Sequence, residues 1–512
     1  MPRYAAVDIG SNSVRMLAAE VAGGQTKILA EDREVTRLGE SVFRSGQISA
    51  EALQFLIATL SRMAGTYARL EVAGVRAVAT SAVRDASNQR EFLEKTSNVL
   101  GTNVEIISGP EEARLIHLGV QARWPRPKEL TLTIDVGGGS AELIISRGSE
   151  IIDAVSKPLG AVRLSEMFLK NDPPSPVELD RLNAFIAEKL QPFCQEHANK
   201  RFDRAIATSA SAAAVVCAIN QIPRPKRDEA DRLRASTRDI RTFFSSVAGS
   251  SLAQRKKMVG VGPRRAEIIV AGAAVFLRTL ERFQHSALFY CSAGVRDGIV
   301  ADLAARGVGL EASRLSGEQR SEVEDLGEKY AINMKHAHQV AFLAGRLFDI
   351  FEPVHRLPPA AGKLLEAAAL IHDVGHFVSG TGHHKHSAYL IANSDLPGFT
   401  NREKLIIAAL CRFHRKALPQ PKKTYFDELD AESKRVVISL TPLLRLADSL
   451  DRSHIEAVKD VSGRLKDANL QLFVTSTNET SLEIWAANEA ARAFRDVYNR
   501  TLTVQRAQAQ SA

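Results

Sequence analysis

The sequence predicts an α/β protein of two related lobes, followed by a helical region and a small α+β segment. Three observations predict this order. One strand–turn–strand pattern occurs twice, strand-like and helix-like segments alternate up to about residue 308, and the sequence then becomes helical and rich in histidine. We therefore place the two lobes at residues 1–127 and 128–308, the helical domain at 309–463 and the α+β segment at 464–512.

The repeated pattern lies in the segments Asp8–Arg15 and Asp135–Glu142. Each copy follows an apolar β-rich run, begins its turn at an aspartate and leads into a second apolar run, which predicts a β-hairpin. Such a Gly/Ser turn offers backbone N–H groups and hydroxyls to an anion, and its aspartate can hold a hard cation or a water. Two such turns predict a cleft that closes on a phosphate from opposite sides. At the eighth position, Arg15 suits a phosphate, whereas Glu142 suits a metal ion or a water.

The rest of the first lobe alternates helices and strands. Ser49 caps a helix with one apolar side, and a buried strand follows at Val75–Ala79. A helix is predicted at Gln89–Leu100 and a strand at Val104–Ile107. Pro110 then opens another helix, since the missing N–H of proline costs nothing in a first turn.

The second lobe repeats this theme after its own hairpin. We expect a helix near Leu179–His197, a strand at Ala205–Ala207 and a further strand at Ala287–Tyr290. In the C-terminal segment we expect strands at Gln471–Val474 and Ser481–Ile484 before a last helix.

Single charged residues beside these elements suggest a reaction. Glu112 lies in the first turn of a helix, where the dipole favours its ionised form. It is either a dipole-stabilising glutamate or a general base that directs water at a phosphoryl group. Arg84, in the turn after a buried strand, can clamp phosphate oxygens. Arg265 and Arg296 each offer a phosphate clamp or an inter-lobe ion pair, and we favour Arg296 as the phosphate ligand.

Histidines and aspartates form a second predicted site after residue 330. His336 lies on the apolar face of a helix, where a single inward histidine is usually a core residue. Several histidines and aspartates at the ends of separate helices instead predict an N/O site for one or two divalent metal ions. The predicted ligands are His336, His372, Asp373, His386, His414 and Asp448.

Bulk composition excludes several classes of protein. The content of 45% hydrophobic and 25% charged residues is that of an ordinary globular protein, and no run approaches the roughly 20 apolar residues of a membrane span. The four cysteines are scattered, so the sequence predicts neither a disulfide framework nor a zinc knuckle, and we expect a cytoplasmic protein. The net charge of +8 suits a polyanion, but its basic clusters lack interleaved aromatic residues, which argues against specific nucleic-acid binding.

The motifs together resemble the exopolyphosphatase and guanosine pentaphosphate phosphohydrolase family. That family belongs to the superfamily of actin, sugar kinases and the large heat-shock chaperones. The histidine-rich region resembles the HD-type phosphohydrolase domain through His336, His372, Asp373 and Asp448. The segments that carry the family resemblance are Val7–Arg15, Ala79–Ala86, Ile107–Arg114, Ile134–Leu143 and Gly294–Gly298.

The resemblance implies an actin-like, ribonuclease-H-like two-lobed ATPase fold, an all-α HD-type domain and a homodimer. It implies Mg²⁺-dependent hydrolysis of the terminal phosphate of inorganic polyphosphate, or of the 5′ γ-phosphate of guanosine pentaphosphate. Glu112 would be the general base, Asp135 and Glu142 would serve Mg²⁺ and the attacking water, and Asp8 would be a further Mg²⁺ ligand. An additional divalent metal would occupy the HD-type domain. The implied phosphate-binding residues are Gly10, Ser11, Asn12, Ser13, Arg15, Arg84, Gly137, Gly138, Gly139, Ser140 and Arg296.

One segment departs from the family pattern. The family has a glycine in the turn after a strand of the second lobe, where this chain has Thr208–Ala212. Without glycine the backbone approaches a ligand less closely, which favours linear polyphosphate over a nucleotide. We therefore predict an exopolyphosphatase, with guanosine pentaphosphate phosphohydrolase as the alternative.

Three other functions remain as alternatives. A kinase of the same superfamily is disfavoured because Glu112 suits attack by water and no sugar pocket is recognisable. A regulator that only binds polyphosphate or guanosine pentaphosphate is disfavoured by the intact carboxylates, which are Asp8, Glu112, Asp135 and Glu142. The third alternative is separate phosphohydrolase chemistry in the histidine-rich region.

Overall fold

A computed structural model describes residues 2–22, 25–306, 314–420, 425–466, 469–476 and 478–507. The chain forms two compact units, Met1–Val308 and Gly309–Ala512. The predicted boundary between residues 308 and 309 itself falls outside the described residues. Within the described ranges, no helix is both long enough and apolar enough to cross a membrane.

The first unit contains two sheets. The strands of the first sheet are β1 (Arg3–Ile9), β2 (Val14–Ala22), β3 (Gln25–Glu34), β4 (Gly74–Ala79) and β5 (Val104–Ile106). Those of the second are β6 (Leu130–Val136), β7 (Ala141–Arg147), β8 (Glu150–Lys157), β9 (Arg204–Thr208), β10 (Arg234–Ser236) and β11 (Ala287–Tyr290). The helices associated with the first half of the unit are α1 (Leu38–Ser45), α2 (Ala50–Arg69), α3 (Ser81–Asp85), α4 (Gln89–Leu100) and α5 (Gly109–Arg123). Those of the second half are α6 (Ala161–Phe168), α7 (Pro176–Glu196), α8 (Ser209–Ile219), α9 (Thr237–Ala248), α10 (Leu252–Arg255), α11 (Ile269–Arg282) and α12 (Val295–Arg306).

The two sheets have the same topology, which confirms the duplication predicted from the repeated hairpin. The first sheet is ordered β3-β2-β1-β4-β5, and the second contains the matching series β8-β7-β6-β9-β11 with β10 added at its edge. In each sheet the three hairpin strands are antiparallel and the next two are parallel to the first. Ser49 accepts a hydrogen bond from the N–H of Ala52 and caps α2, as predicted.

The two halves of the first unit exchange helices, which sequence order alone does not reveal. Ile116 and its apolar neighbours on α5 pack on the second sheet, whereas Ile299 on α12 packs on the first. The two helices cross in close contact, and a Cβ on Gly298 would lie 1.7 Å from the carbonyl oxygen of Leu115. Glycine is therefore required where α12 meets α5, because any side chain would push the helices apart.

Five charged residues fasten α5 and α12 to the first sheet. Arg76 of β4 lies 3.0 Å from Glu111 and 2.9 Å from Asp302, and Arg114 lies 2.7 Å and 2.9 Å from the same two carboxylates. Glu105 of β5 also pairs with Arg76, at 3.2 Å. Burial alone would raise the pKa of Glu111, but Arg114 and Arg76 hold it below its ordinary value. The network fixes the rotation of α5 about its axis.

The second unit is mainly helical. Its helices are α13 (Gly317–Lys329), α14 (Met334–Ile350), α15 (Glu352–His355), α16 (Ala360–Ile371), α17 (His383–Ala392), α18 (Asn401–Phe413), α19 (Ala431–Ser449), α20 (Ser481–Ala490) and α21 (Arg492–Tyr498). Its strands β12 (Asp460–Lys466), β13 (Asn469–Thr475) and β14 (Thr501–Arg506) form one sheet in the order β12-β13-β14.

The C-terminal segment differs from its prediction in two respects. The predicted boundary after residue 463 falls inside β12, and one apolar core contains residues on both sides of it, such as Leu443 and Leu472. The strand predicted at Ser481–Ile484 is wrong, since this segment begins α20. The alternation of apolar and polar residues predicted a buried Leu482 and an exposed Glu483. In the structure Leu482 is exposed, while Glu483 is buried and accepts a hydrogen bond from the backbone of Ser453.

We predict that Glu111→Gln lowers the free energy of unfolding by about 3–5 kcal/mol, because it leaves two buried guanidinium groups underpaired. Since the pKa of Glu111 is lowered in the folded state, its contribution is present above the ordinary glutamate pKa and is lost as the pH falls through the folded value. Urea denaturation at several pH values checks this.

Glu91→Gln is the matched control, because the Glu91–Lys95 pair is half exposed. It should change stability by less than about 1 kcal/mol. Equal effects of the two substitutions would contradict the structural importance of the buried network.

Candidate active site

The two repeated hairpins place different charges opposite one another. In the first hairpin Asp8 pairs in register with Arg15, and in the second Asp135 pairs with Glu142. Opposite charges at facing positions stabilise an antiparallel pair, whereas like charges destabilise it. The second hairpin therefore carries a charge conflict that a bound cation would relieve.

Backbone N–H groups at or just before a helix N-terminus hold both hairpin turns by similar contacts. The N–H of Gly39 at the start of α1 donates to the carbonyl of Ser11 at 2.7 Å, and Thr36 and Arg37 donate to that of Asn12. In the second copy, N–H groups of the first turn of α6 donate to the carbonyls of Gly137 and Gly138 at 2.9–3.1 Å. Because the turn carbonyls accept these hydrogen bonds, the donating N–H groups fix the conformation of each turn.

The two turns face each other across a narrow cleft. A Cβ on Gly138 would lie 3.0 Å from the Cβ of Ser11, and one on Gly139 would lie 2.7 Å from the Ser11 hydroxyl. The missing side chains of Gly138 and Gly139 thus permit the close approach. Most of the sequence-predicted residues line this cleft, namely Asp8, Gly10, Ser11, Asn12, Ser13, Arg15, Glu112, Asp135, Gly137, Gly138, Gly139, Ser140 and Arg296.

Four carboxyl groups lie at or directly behind this cleft, of which Glu112, Asp135 and Glu142 are buried and Asp8 is half-buried. Burial raises the pKa of Asp8 to about 6, partly offset by Arg15, and raises that of Asp135 to about 6, offset by a hydrogen bond from Thr208. Burial and the neighbouring Glu112 and Asp135 raise the pKa of Glu142 well above its ordinary value. Each additional negative charge here opposes the ionisation of the others.

Glu112 lies in the first turn of α5 and is directed into the cleft, with its carboxylate 3.0 Å from Arg84. Burial raises the pKa of Glu112 although Arg84 opposes the shift. A carboxylate with a raised pKa is a stronger base near neutral pH. The adjacent Glu111 points the other way, into the buried ion network, which explains why two neighbouring glutamates occupy this turn.

Two predicted residues lie behind the cleft rather than on its surface. Arg84 donates to Glu112 and, at 2.7 Å, to the carbonyl of Ile107, so the structure shows it positioning the glutamate. Neither Arg84 nor Glu142 is among the described residues that line the cleft. Glu142 is 1% exposed, and its Oε1 accepts a hydrogen bond from Ser156. The phosphate contact predicted for Arg84 stays a prediction.

The cleft suits Mg²⁺ by its donor chemistry. Mg²⁺ prefers oxygen ligands, keeps several waters and commonly takes one or two carboxylates together with substrate phosphates. The Oε2 atom of Glu142 is buried and has no hydrogen-bond partner among the described residues. Within the described ranges, however, Asp8, Asp135 and Glu142 do not converge to within 4.8 Å of one another, so they form no all-protein cage. Such an open arrangement fits an ion that shares its ligands with water and phosphate.

A group of arginines extends the cleft, and sequence analysis assigned only Arg15 to the site and considered Arg265 as a phosphate clamp. Arg15 and Arg265 line the cleft, and the depressions beside it contain further guanidinium groups. Burial and, after it, the neighbouring arginines together lower the pKa of Arg265 to about 9 and that of Arg33 to about 10. Such mutual repulsion is relieved by a polyanion. The arginines concerned are Arg15, Arg33, Arg224, Arg227, Arg264 and Arg265.

Arg296 forms the ion pair that was one of the two alternatives considered for it, and its phosphate contact stays a prediction. It lines the cleft, and its guanidinium lies 2.6 Å from Glu31 of β3. Asp297, which was not predicted, also lines the cleft and accepts a hydrogen bond from the N–H of Gly294 at 2.9 Å. The net positive charge suggested a polyanionic ligand, but only the fold shows which basic residues lie close together.

The glycine-free turn still adopts the conformation that glycine favours. Ser209, the first residue of α8, has φ 87°, in the left-handed region that costs a side-chain-bearing residue roughly 1–3 kcal/mol. Its hydroxyl accepts hydrogen bonds from the N–H groups of Ser211 and Ala212, which offsets part of this cost. Thr208 and Ser209 both line the cleft, so the departure from the family pattern lies at the site.

The predicted histidine–aspartate set lies in the second unit, with one correction. His336, His372 and Asp448 form one group, and Asp373 and His414 belong to another. The third member of that second group is His383 rather than the predicted His386. His383 opens α17, and Ser387, four residues on, takes the inward-facing position, while His386 is half-buried outside both groups.

Comparisons with known proteins agree with this geometry. Residues 17–306 match the sequence profile of the Ppx/GppA phosphatase family, and residues 319–488 match that of domain III of the Ppx/GppA phosphatases. A guanosine-5′-triphosphate,3′-diphosphate pyrophosphatase of Vibrio parahaemolyticus is 27% identical over 418 residues, which cover 81% of this chain and 81% of the relative. The protein of the same name from Photobacterium profundum is 26% identical over 457 residues, 87% of this chain and 86% of the relative.

Solved structures resemble more than half of the chain. An Aquifex aeolicus member of the Ppx/GppA family is 29% identical with a TM-score of 0.53, covering 60% of this chain and 98% of that one. An exopolyphosphatase from Cytophaga hutchinsonii is 25% identical with a TM-score of 0.55, covering 58% of this chain and 96% of that one. The α/β fold prediction is confirmed, whereas the HD-type assignment, the homodimer and the cytoplasmic location stay predictions.

We predict that Mg²⁺ raises the melting temperature more at pH 7.5 than at pH 5. Ionisation of Asp8 and Asp135 opposes folding as the pH rises from the unfolded value towards about 6, and a bound cation recovers that loss. At pH 5 the ion must displace protons, so its affinity should fall roughly tenfold to a hundredfold. Thermal melts with and without Mg²⁺ at both pH values measure the difference.

Asp135→Asn is the control for this measurement. It removes one buried charge, so the variant should be the more stable protein without Mg²⁺ and should respond less to the ion. A Mg²⁺ shift of equal size at both pH values in the wild type would rule out these carboxylates as its ligands.

Proposed function

The chain belongs to the Ppx/GppA phosphatase family, and we propose that it is an exopolyphosphatase, which removes the terminal phosphate of inorganic polyphosphate as orthophosphate. One observation supports this proposal most: the buried carboxylates and the arginines share a single cleft. The carboxylates suit a cation and a water, and the arginines suit the phosphates that follow the terminal one. Hydrolysis at the end of a linear polyanion requires both groups of residues.

The cleft contains the groups that phosphoryl transfer to water requires. Asp8 and Asp135 would hold Mg²⁺, which would neutralise charge on the terminal phosphate and on the leaving phosphate. The two hairpin turns line the cleft, and their backbone N–H groups and hydroxyls would bind that phosphate. Little covalent chemistry is required of the protein, because positioning and charge stabilisation supply most of the rate.

Glu112 directs the attacking water. Its carboxylate accepts a proton from the water as the water oxygen forms a bond to the terminal phosphorus. The bond from that phosphorus to the bridging oxygen breaks, and the electron pair leaves with the shortened chain. Arg84 keeps the carboxylate in place, and Arg15 offers positive charge to the phosphate oxygens.

Hydrolysis of guanosine pentaphosphate is the second candidate. The names of the two bacterial relatives support it, since both are guanosine-5′-triphosphate,3′-diphosphate pyrophosphatases. The depression beside Arg15 has a wall of small residues, Ala213, Ala214 and Val261, that leaves room beside the arginines. We favour polyphosphate because six arginines line this depression and no aromatic side chain among the described residues lines it for stacking with a base.

We predict that Glu112→Gln lowers kcat for phosphate release from polyphosphate by about 10²–10⁴, the usual contribution of a general base, and leaves polyphosphate binding nearly unchanged. Initial rates and equilibrium binding on the same preparation separate the two effects. Glu91→Gln serves as the control, because this half-exposed glutamate lies on α4 outside the cleft and its loss should change neither kcat nor polyphosphate binding. A fully active Glu112→Gln protein would contradict the mechanism.

The substrate prediction concerns the arginines. Arg33→Ala should raise KM for long-chain polyphosphate roughly tenfold or more, since a charge-assisted hydrogen bond contributes about 1.5–3 kcal/mol. Lys27→Ala, an exposed cation on the same strand away from the cleft, is the control and should change KM little. Wild-type kcat/KM on polyphosphate should exceed that on guanosine pentaphosphate, and the reverse order would favour the second candidate.

A further inference from the structure

Thr208 places a buried hydroxyl beside the cleft, and the mechanism proposed above does not use it. It is the last residue of β9, and in the parallel pairing of β9 with β6 it lies in register with Asp135. Both residues therefore stand at the carboxyl ends of parallel strands, the edge at which α/β sheets bind their ligands. Thr208 is 1% exposed, so its hydroxyl depends on protein partners for its hydrogen bonds.

The Thr208 hydroxyl has three such partners. Its oxygen accepts a hydrogen bond from the N–H of Ser209 at 2.6 Å. It also lies 3.1 Å from Oδ2 of Asp135 and 2.8 Å from the carbonyl oxygen of Ala293, and both of these atoms are acceptors. A hydroxyl has a single hydrogen, so Thr208 donates fully to only one of the two acceptors at a time.

The charge on Asp135 decides between the two acceptors. A hydrogen bond to an ionised carboxylate is roughly twice as strong as one to a neutral carbonyl. Burial raises the pKa of Asp135 to about 6, and the hydrogen bond from Thr208 acts against this rise, as a bond to the charged form does. An ionised Asp135 therefore takes the hydrogen of Thr208 on Oδ2, which leaves Oδ1 for another partner.

The surrounding backbone holds the hydroxyl in place. Threonine is branched at Cβ, which restricts rotation about its first side-chain bond. The N–H of Ser209 occupies one side of the hydroxyl oxygen, and a Cβ on Gly294 would lie only 3.3 Å from that oxygen. The position of the hydroxyl is thus set by the start of α8 and by the segment that leads into α12.

We infer that Thr208 is a positioning residue for the cation of the cleft: its hydroxyl holds Oδ2 of Asp135 and thereby directs Oδ1 towards Mg²⁺ or a water bound to it. This role rests on the proposed function, in which Asp8 and Asp135 would hold Mg²⁺. Thr208 acts through Asp135 and is not itself a ligand. Outer hydrogen-bond partners of metal ligands typically contribute a factor of about ten to a hundred in metal affinity.

Capping of α8 is the simpler role for this residue. Thr208 is the N-cap residue of α8, and its side chain accepts the hydrogen bond from Ser209 in that position. A cap stabilises the folded protein whether or not a cation is bound. The effect of Mg²⁺ separates the two roles, because only the positioning of Asp135 makes the response to the ion depend on Thr208.

Thermal melts at pH 7.5 with increasing Mg²⁺ test this role without a measurement of activity. The relevant response is the part of the melting shift that Asp135→Asn loses, since that part reports the cleft. Thr208→Val should need about tenfold to a hundredfold more Mg²⁺ for half of this response, and Thr208→Ser, which keeps the hydroxyl, should restore most of the loss. A Thr208→Val protein that melts at a lower temperature but responds to Mg²⁺ as the wild type does would overturn the proposal.

Thr131→Val is the matched control. Thr131 is buried on β6, the strand that carries Asp135, and its hydroxyl has no hydrogen-bond partner among the described residues. The same loss of a hydroxyl should therefore leave the Mg²⁺ response unchanged. An equal loss of response in Thr131→Val and Thr208→Val would overturn the specific role of Thr208.

Phosphate release adds a kinetic readout. Thr208→Val should raise the Mg²⁺ concentration for half-maximal rate by the same factor as in the melts, and should change kcat at saturating Mg²⁺ much less, because the ion once bound restores the arrangement. An unchanged Mg²⁺ requirement with a lowered kcat would contradict positioning of the ion.

The variants also distinguish this role from the proposed function. If Asp135→Asn keeps the full Mg²⁺ response of the wild type, Asp135 is not a ligand, and both the metal assignment and the role of Thr208 are wrong. If Asp135→Asn loses the response and Thr208→Val keeps it, only the role of Thr208 is wrong.

A crystal structure keeps the proposal falsifiable even if Thr208→Val does not fold. In the Glu112→Gln protein with Mg²⁺ and tripolyphosphate, the Thr208 hydroxyl should lie within hydrogen-bond distance of one Asp135 oxygen, with the ion or its water at the other. An ion at the same oxygen as Thr208, or a hydroxyl that contacts only Ala293, would overturn the proposal.

Discussion

The cleft of the first unit depends on one electrostatic constraint: several carboxyl groups share a buried site beside a group of arginines. Asp135 and Glu142 face each other in register, and Glu112 adds a third negative charge to their surroundings. Like charges in a buried site destabilise one another, and so do the arginines on the other side. A cation and a polyanion that bind together relieve both repulsions, which is the physical reason for expecting Mg²⁺ with a phosphate chain here.

The scaffold is built to withstand this repulsion. Helices α5 and α12 each cover the sheet of the opposite half, and the buried pairs of Arg76, Arg114, Glu111 and Asp302 fasten them. This network sets the rotation of α5, and the rotation directs Glu112 into the cleft. Glu111 therefore stabilises the fold and Glu112 serves the reaction, although the two glutamates are neighbours in one helical turn.

Much of this arrangement could be predicted from the sequence, because the repeated hairpin encodes both its strands and its turn residues. Contacts between distant segments could not be predicted, since no local pattern states which elements meet. Arg33 and Arg265 are brought to the cleft only by the fold. In the second unit the rotation of α17 directs His383 inward, rather than the predicted His386. The strand predicted at Ser481–Ile484 was wrong because tertiary packing buried Glu483 and exposed Leu482.

The central claim is that a phosphate chain lies with its terminal phosphate between the two hairpin turns and its remaining phosphates along the arginines. A crystal structure of the Glu112→Gln protein with Mg²⁺ and tripolyphosphate tests this most directly. We expect the terminal phosphate in the cleft beside Glu112, with the ion beside Asp8 and Asp135 and the chain directed towards Arg33. Tripolyphosphate bound elsewhere, or in the cleft with its terminal phosphate away from residue 112, would contradict the account.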